Sequence, residues 1–177
     1  MSAKPSASLT GEIACGIVLR RRRTWSDEMN TEQAKQQLKE LLKSQLFCVL
    51  ATQDKGQPYG NLVAFMATDD LEDLVFATSR GTRKYSNIAS DPRVAMLVDS
   101  RSNQQSDIRN AIVVTALGTV EEAEGADRER LLNLYLAKHP NLTGFVSSPD
   151  CALLRVRIDK YYLVSDFQNV TELIVPR

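Results

Sequence analysis

Several features that would quickly assign a function are missing from this chain of 177 residues. Lys plus Arg and Asp plus Glu both number 22, so the zero net charge gives no overall attraction to nucleic acid or to an acidic membrane. No apolar run approaches the roughly 20 residues that span a bilayer, and the first residues lack the charged-then-apolar order of a signal peptide. We therefore expect a soluble protein with no membrane partner, and nucleic acid is a disfavoured partner.

Cysteine and histidine are scarce, and the common catalytic motifs are absent. The sequence contains no GxGxxG, Walker A, HExxH or GxSxG pattern, which removes the usual nucleotide, zinc and serine-hydrolase interpretations. Cys15, Cys48 and Cys151 are odd in number and lack CxxC spacing. This usage argues against a disulfide framework or a metal site and fits a reducing cytoplasm. We expect Cys48 and Cys151 to be buried as small hydrophobic residues.

The only histidine, His139, stands beside Pro140 at the end of an apolar helical pattern. A single histidine in this position usually caps the last carbonyl groups of a helix, so we expect capping here and not catalysis or ligation.

Hydrophobic periodicity predicts a single β-rich domain with a few helices. Apolar residues three and four positions apart predict a helix from Asn30 or Thr31 and a second helix over 126–139. Alternation and apolar runs predict strands at 46–52, 59–68, 74–78, 93–98, 111–122 and 152–164, with an edge strand at 170–175. Gly118, inside one of these strands, predicts a bulge or bend. Short turns between successive strands are typical of a β-barrel.

The first 29 residues differ in composition from the rest and are predicted to form an N-terminal arm, followed by a domain over 30–177. The arm carries four consecutive arginines, which could contact nucleic acid or acidic lipid. A solvated run or a subunit contact is favoured, because no later segment continues the basic surface. The only tryptophan, Trp25, is expected to pack against the domain or a partner. The arginines are Arg20, Arg21, Arg22 and Arg23.

The most informative stretch runs from Phe76 to Val98 and reads as a strand, a polar turn, a short helix and a second strand. Thr82 is placed as the N-cap of the helix, and Pro92 ends it. Two hydroxyls and three cations meet where free N–H groups and the helix dipole favour an anion. The turn therefore predicts a phosphate site. The alternative is a solvated basic turn, although cations at a helix N-terminus cost a few tenths of a kcal/mol each without an anion. The polar residues are Ser79, Arg80, Thr82, Arg83 and Lys84.

This stretch resembles the FMN-binding segment of the pyridoxamine 5'-phosphate oxidase-like split-barrel flavoproteins. The matching residues are Ala77-Thr78, the triplet Thr82-Arg83-Lys84 and the strand start Asp91-Pro92-Arg93-Val94. The resemblance covers residues 46–122 in order, and more loosely the chain to residue 164. It implies an antiparallel six- to seven-stranded split β-barrel with peripheral helices, and a homodimer with FMN at the subunit interface.

The resemblance also implies roles for individual residues. It puts the FMN phosphate against Ser79, Thr82, Arg83 and Lys84, beside the strand end formed by Ala77 and Thr78. It runs the flavin ring along Asn61, Leu62 and Val63. Relatives often carry arginine in place of Asn61, so stabilisation of a reduced, anionic flavin would be weaker here; alternatively, Asn61 is a polar strand residue facing solvent.

Two further groups carry open alternatives. Loop residues Ser102, Gln104 and Arg109 are possible contacts to the flavin of the other subunit, or are simply solvated. The aromatic residues Tyr161, Tyr162 and Phe167 either border the flavin or fill the end of the barrel, and filling is favoured.

The resemblance implies an FMN-dependent oxidoreductase acting on a small molecule, with unknown substrate and no catalytic residue assigned. Pyridoxamine 5'-phosphate oxidase activity itself is disfavoured, because those enzymes carry a C-terminal Arg-x-His motif and no histidine follows His139. One alternative is a haem-handling member of the superfamily, whose relatives share a segment like residues 139–150 but use a C-terminal histidine. Another is a non-catalytic dimer that binds flavin weakly or not at all.

Overall fold

The computed structural model describes residues 25–165 and 169–176, with the backbone alone for residues 25–30. The expectations for Cys15, the arginines of the arm, the Trp25 side chain and Phe167 lie outside the described residues. The division into an arm and a domain therefore stays a prediction.

Seven antiparallel strands form one sheet, and its first six members close into a barrel. The strands are β1 (Phe47–Asp54), β2 (Gln57–Ala67), β3 (Asp73–Ser79), β4 (Arg93–Asp99), β5 (Val113–Glu122), β6 (Cys151–Ser165) and β7 (Asn169–Ile174). Their order is β3-β2-β1-β4-β5-β6-β7, and a further pairing of β3 with β6 closes the barrel. β7 extends the sheet beyond β6 as the predicted edge strand. The β-rich split barrel with peripheral helices is thus confirmed.

Local sequence chemistry explains the turns and bends. Lys55 and Gly56 form a two-residue hairpin turn between β1 and β2 with φ of 49° and 83°, shorter than the predicted six-residue turn. Positive φ at both positions is what a type I′ turn needs. The register of β5 against β6 shifts between Leu117 and Gly118, which confirms the bulge. A Cβ at Gly118 would overlap the carbonyl of Arg157, so only glycine fits there.

Five helices surround the barrel. They are α1 (Trp25–Ser44), α2 (Arg83–Ser90), α3 (Asp107–Asn110), α4 (Gly125–Lys138) and α5 (Thr143–Val146). α1 begins five or six residues before the predicted start. Among the described residues no helix is long and apolar enough to cross a bilayer.

The segment over 99–110 was predicted to be a loop, and it contains the short helix α3; β5 starts at Val113 instead of Ala111. Asp107 organises this loop: its carboxylate accepts the backbone N–H groups of Ser102 at 2.8 Å and Gln104 at 2.9 Å. A carboxylate that collects backbone donors folds a short loop without help from an apolar core.

Two apolar clusters hold the fold together. One fills the barrel and reaches α1 and α2, and includes Cys48, Leu50, Phe76 and Ile88. The other lies outside the barrel, where α4 and α5 cover one face of the sheet. Cys48 and Cys151 are buried, one in each cluster, as expected.

Candidate functional site

The turn after β3 folds around hydroxyl groups. Thr82 has an extended N-cap conformation, and its Oγ1 accepts the N–H of Tyr85 at 3.4 Å while donating to the Ser79 carbonyl at 2.8 Å. The Oγ1 of the buried Thr78 lies 3.1 Å from that of Thr82. The Ser79 hydroxyl accepts the N–H of Gly81 at 3.3 Å. The hydroxyls therefore fix the course of the turn, and the predicted N-cap is confirmed.

The three cations of this turn differ in their partners. Arg80 forms an ion pair with Glu122, the last residue of β5, which also accepts the Tyr85 hydroxyl at 3.2 Å. Arg83 is exposed, and its guanidinium lies 4.9 Å from the centre of the Tyr59 ring. Lys84 is partly buried, and burial lowers its pKa. Within the described residues, neither Arg83 nor Lys84 makes an ion pair with a carboxylate.

Beside this turn the barrel is split. β2 and β3 pair only at Phe65–Phe76, Met66–Val75 and Ala67–Leu74, next to their connecting turn. β2 nevertheless continues back to Gln57, paired with β1, and β3 continues to Ser79, paired with β6. The two strands therefore present facing edges without mutual pairing.

The residues predicted to contact the cofactor lie on these edges. On β2, Leu62 points outward with 65% of its surface exposed, while Val63 is buried in the barrel. Asn61 pairs in register with the fully buried Leu50 and so points inward. On β3, Ala77 is packed against the outer cluster and Thr78 is buried.

The side-chain amide of Asn61 has an unusual environment. Its amide nitrogen and its amide oxygen are both buried, and neither has a hydrogen-bond partner in the part of the chain that is described. The alternative of a strand residue facing solvent is thus wrong. Buried amide groups without partners cost roughly 1–3 kcal/mol each and are rare in folded proteins.

The outer surface of the sheet carries an apolar face. Phe47 on β1 is 54% exposed and pairs with Ala64 on β2. Val49, the next outward residue of β1, lies between Leu62 of β2 and Leu97 of β4. Exposed apolar residues on neighbouring strands form a surface typical of subunit contacts.

His139 is the C-cap residue of α4, as predicted, but it caps through its backbone N–H, which donates to the Tyr135 carbonyl at 2.9 Å, and not through its imidazole. The ring is buried, and its Nε2 lies 2.8 Å from the carbonyl oxygen of Phe65 on β2. Nε2 therefore carries the donated hydrogen. The imidazole bonds the Phe65 carbonyl and not a carbonyl of its own helix because α4 packs across β2, which brings the ring onto that strand. Among the described residues no cluster of three or more His, Cys, Asp or Glu is arranged to hold a metal.

The remaining predicted contacts include one buried and three exposed side chains. Tyr161 is buried, and its hydroxyl donates to the Leu71 carbonyl at 2.8 Å, which favours the barrel-filling alternative. Ser102, Gln104 and Arg109 are exposed.

Sequence reasoning missed two aromatic residues near the split. Tyr59 precedes Asn61 by two positions and therefore shares its face of β2, so strand periodicity alone could have found it. Tyr135 of α4 is fully buried, and its hydroxyl lies 3.4 Å from the carbonyl oxygen of Ala64. No local signal marks that contact, because it joins residues 71 positions apart.

Comparison with known proteins places this fold in a family. The family model described as pyridoxamine 5'-phosphate oxidase matches residues 34–165. A pyridoxamine 5'-phosphate oxidase homolog from Schizosaccharomyces pombe is 30% identical over 107 residues, which are 55% of this chain and 56% of that protein. The chain thus aligns with just over half the length of this curated relative.

Solved structures of low identity share the fold. A haem-binding protein from Mycobacterium smegmatis is 18% identical with a TM-score of 0.72, covering 80% of this chain and 57% of that one. An FAD-binding protein from Mesorhizobium loti is 19% identical with a TM-score of 0.60, covering 72% and 89%. The family match extends over most of the chain, from α1 to the end of β6. The chain therefore belongs to the pyridoxamine 5'-phosphate oxidase family.

Proposed function

We propose that this protein binds FMN and acts as an FMN-dependent oxidoreductase on a small-molecule substrate. The phosphate would lie against Ser79, Thr82, Arg83 and Lys84. The flavin ring would lie along Asn61, Leu62 and Val63 on one edge of the split, facing Ala77 and Thr78 on the other.

The observation that carries this proposal is a pair of cations in the first turn of α2, Arg83 and Lys84, neither of which pairs with a carboxylate among the described residues. The helix dipole opposes cations there, and burial of Lys84 adds a desolvation cost that lowers its pKa. Arg80 on the same turn is already neutralised by Glu122. A phosphate monoester carries close to two negative charges near neutral pH and would offset both costs together.

The geometry of the split suits a flat ring that carries hydrogen-bond donors and acceptors along one edge. The facing edges of β2 and β3 offer backbone groups that no neighbouring strand pairs, and Asn61 adds an amide whose donor and acceptor are both unused. The pyrimidine edge of a flavin carries both kinds of group, which suits such an edge. Asn61 is neutral, so it would orient the ring without adding positive charge.

A homodimer is part of the proposal. The apolar face that contains Phe47 and Leu62 flanks the split, so a second copy packed on it would cover the ring site. Water exclusion would then strengthen the polar contacts to the cofactor.

When bound, FMN supplies hydride or electron transfer, and the protein sets its orientation and potential. No acid–base residue is assigned, because the described residues near the split carry none whose geometry requires that role. The imidazole of His139 is buried and its Nε2 donates to the Phe65 carbonyl, and no observation on the described residues favours the haem alternative.

Titration with FMN and with riboflavin, which lacks the phosphate, tests the proposal. Two charge-assisted hydrogen bonds of about 1.5–3 kcal/mol each predict that FMN binds about 10²–10⁴-fold more tightly than riboflavin. Quenching of flavin fluorescence gives both dissociation constants. Equal affinities would show that no phosphate is held, and the absence of binding by either flavin would overturn the flavoprotein assignment.

A further inference from the structure

The split between β2 and β3 begins at a defined side chain. The last ladder pair is Phe65–Phe76, and the next pair in register would be Ala64–Ala77. At that position the hydroxyl of Tyr135 donates to the Ala64 carbonyl at 3.4 Å. The backbone N–H of Ala77 interacts with the same hydroxyl and favours its ionised form, although burial raises the pKa of Tyr135 to about 12.

We infer that Tyr135 is a positioning residue whose hydroxyl holds β2 and β3 apart and so sets the width of the cofactor cleft. A direct N–H to carbonyl hydrogen bond would hold the two backbone atoms about 2.9 Å apart. Two hydrogen bonds in series through an inserted oxygen allow about 6 Å. The phenol therefore replaces one ladder bond with a wider connection.

The tyrosine is itself held firmly in place. Its ring is fully buried in the outer cluster, and the His139 ring lies one helical turn further along α4 with a centroid distance of 5.0 Å. His139 bonds the carbonyl of Phe65, the residue next to Ala64. Lys138 donates to the Leu42 carbonyl of α1 at 2.8 Å. The last turn of α4 is thus fastened to β2 and to α1 around the phenol.

The hydroxyl, and not the ring, carries the inferred role. In a Tyr135→Phe variant the ring would still fill its site, but the Ala64 carbonyl and the Ala77 N–H would be left buried without a partner. Such groups are costly, and the nearest available partner for each is the other. The ladder would then extend by one pair, and the cleft beyond it would narrow.

This inference rests on the proposed function only for its effect on flavin, so the experiment has two arms. In the first, FMN and riboflavin are titrated against the wild type, Tyr135→Phe and Tyr161→Phe. Tyr161→Phe is the matched control, because Tyr161 is equally buried and also donates to a backbone carbonyl, but away from the split. Tyr135→Phe should weaken both flavins by about tenfold and by the same factor, since the phosphate site is unchanged. Tyr161→Phe should leave both affinities within about twofold of the wild type.

The second arm uses the cofactor-free protein and NMR. An amide–amide NOE between Ala64 and Ala77 should be absent from the wild type and from Tyr161→Phe, and present in Tyr135→Phe. If the wild type bound no flavin, the proposed function would fail while this arm still decided the wedge. The inference is overturned if the NOE is already present in the wild type, is absent from Tyr135→Phe, or if Tyr161→Phe weakens flavin equally.

Discussion

The sharpest consequence of the phosphate site concerns Arg83 and Lys84. We expect the double variant Arg83→Ala, Lys84→Ala to lose FMN while keeping its fold, because neither side chain has a partner carboxylate whose removal would disturb the barrel. Each charge-assisted hydrogen bond to a phosphate is worth about 1.5–3 kcal/mol. The exposed Arg83 should contribute near the lower value and the partly buried Lys84 near the upper one. Together they predict a loss of about 10²–10⁴ in FMN affinity.

The assay compares FMN and riboflavin by fluorescence quenching, with circular dichroism to check the fold. The double variant should bind riboflavin as the wild type does, since only the phosphate contacts are removed. Arg93→Ala is the matched control: it removes a cation at the opposite end of α2, where Asp91 already pairs with it at 2.5 Å. A double variant that is purified yellow, or that loses less than about fivefold in FMN affinity, would refute the site assignment.

Two further predictions follow from charge and from exposure. Burial lowers the pKa of Lys84, so the cofactor-free protein loses this charge at a lower pH than an ordinary lysine does, and FMN affinity should fall as the pH rises through that pKa. The Lys84→Arg variant stays protonated, so its FMN affinity, measured by fluorescence titration, should not fall over the same pH range. Phe47→Asp should dissociate the dimer without unfolding the barrel, as measured by light scattering, whereas a monomeric wild type would remove the case for a homodimer.

The turn after β3 could be predicted from sequence because the hydroxyl contacts that shape it are local. Thr82 caps α2 with its own side chain, Pro92 ends the segment, and the hydrogen bonds of the Thr82 hydroxyl join residues within a few positions of one another. The approximate positions of the strands were also accessible, because alternation and apolar runs mark them along the chain.

The geometry of the split was not accessible to the same reasoning. Nothing in β2 itself shows that its pairing with β3 stops at Phe65, because the course of β2 beyond that pair depends on contacts with distant elements, such as the contact of the Tyr135 hydroxyl with the Ala64 carbonyl. The imidazole of His139 was assigned to its own helix end for the same reason, since the competing carbonyl on β2 is 74 positions away. Long-range hydrogen bonds leave no periodic trace in a sequence.

The proposed phosphate site and the split are separate requirements, and neither alone would specify the ligand. Two cations at a helix N-terminus would hold many phosphate monoesters, because they recognise charge and not the group attached to it. The split edges and the unused amide of Asn61 instead select a flat ring with donors and acceptors along one side. Changes at the cations should therefore alter the ratio of FMN to riboflavin affinity, while changes at Asn61 should shift both affinities and preserve the ratio. A ligand held by only one of the two elements would not produce this pattern.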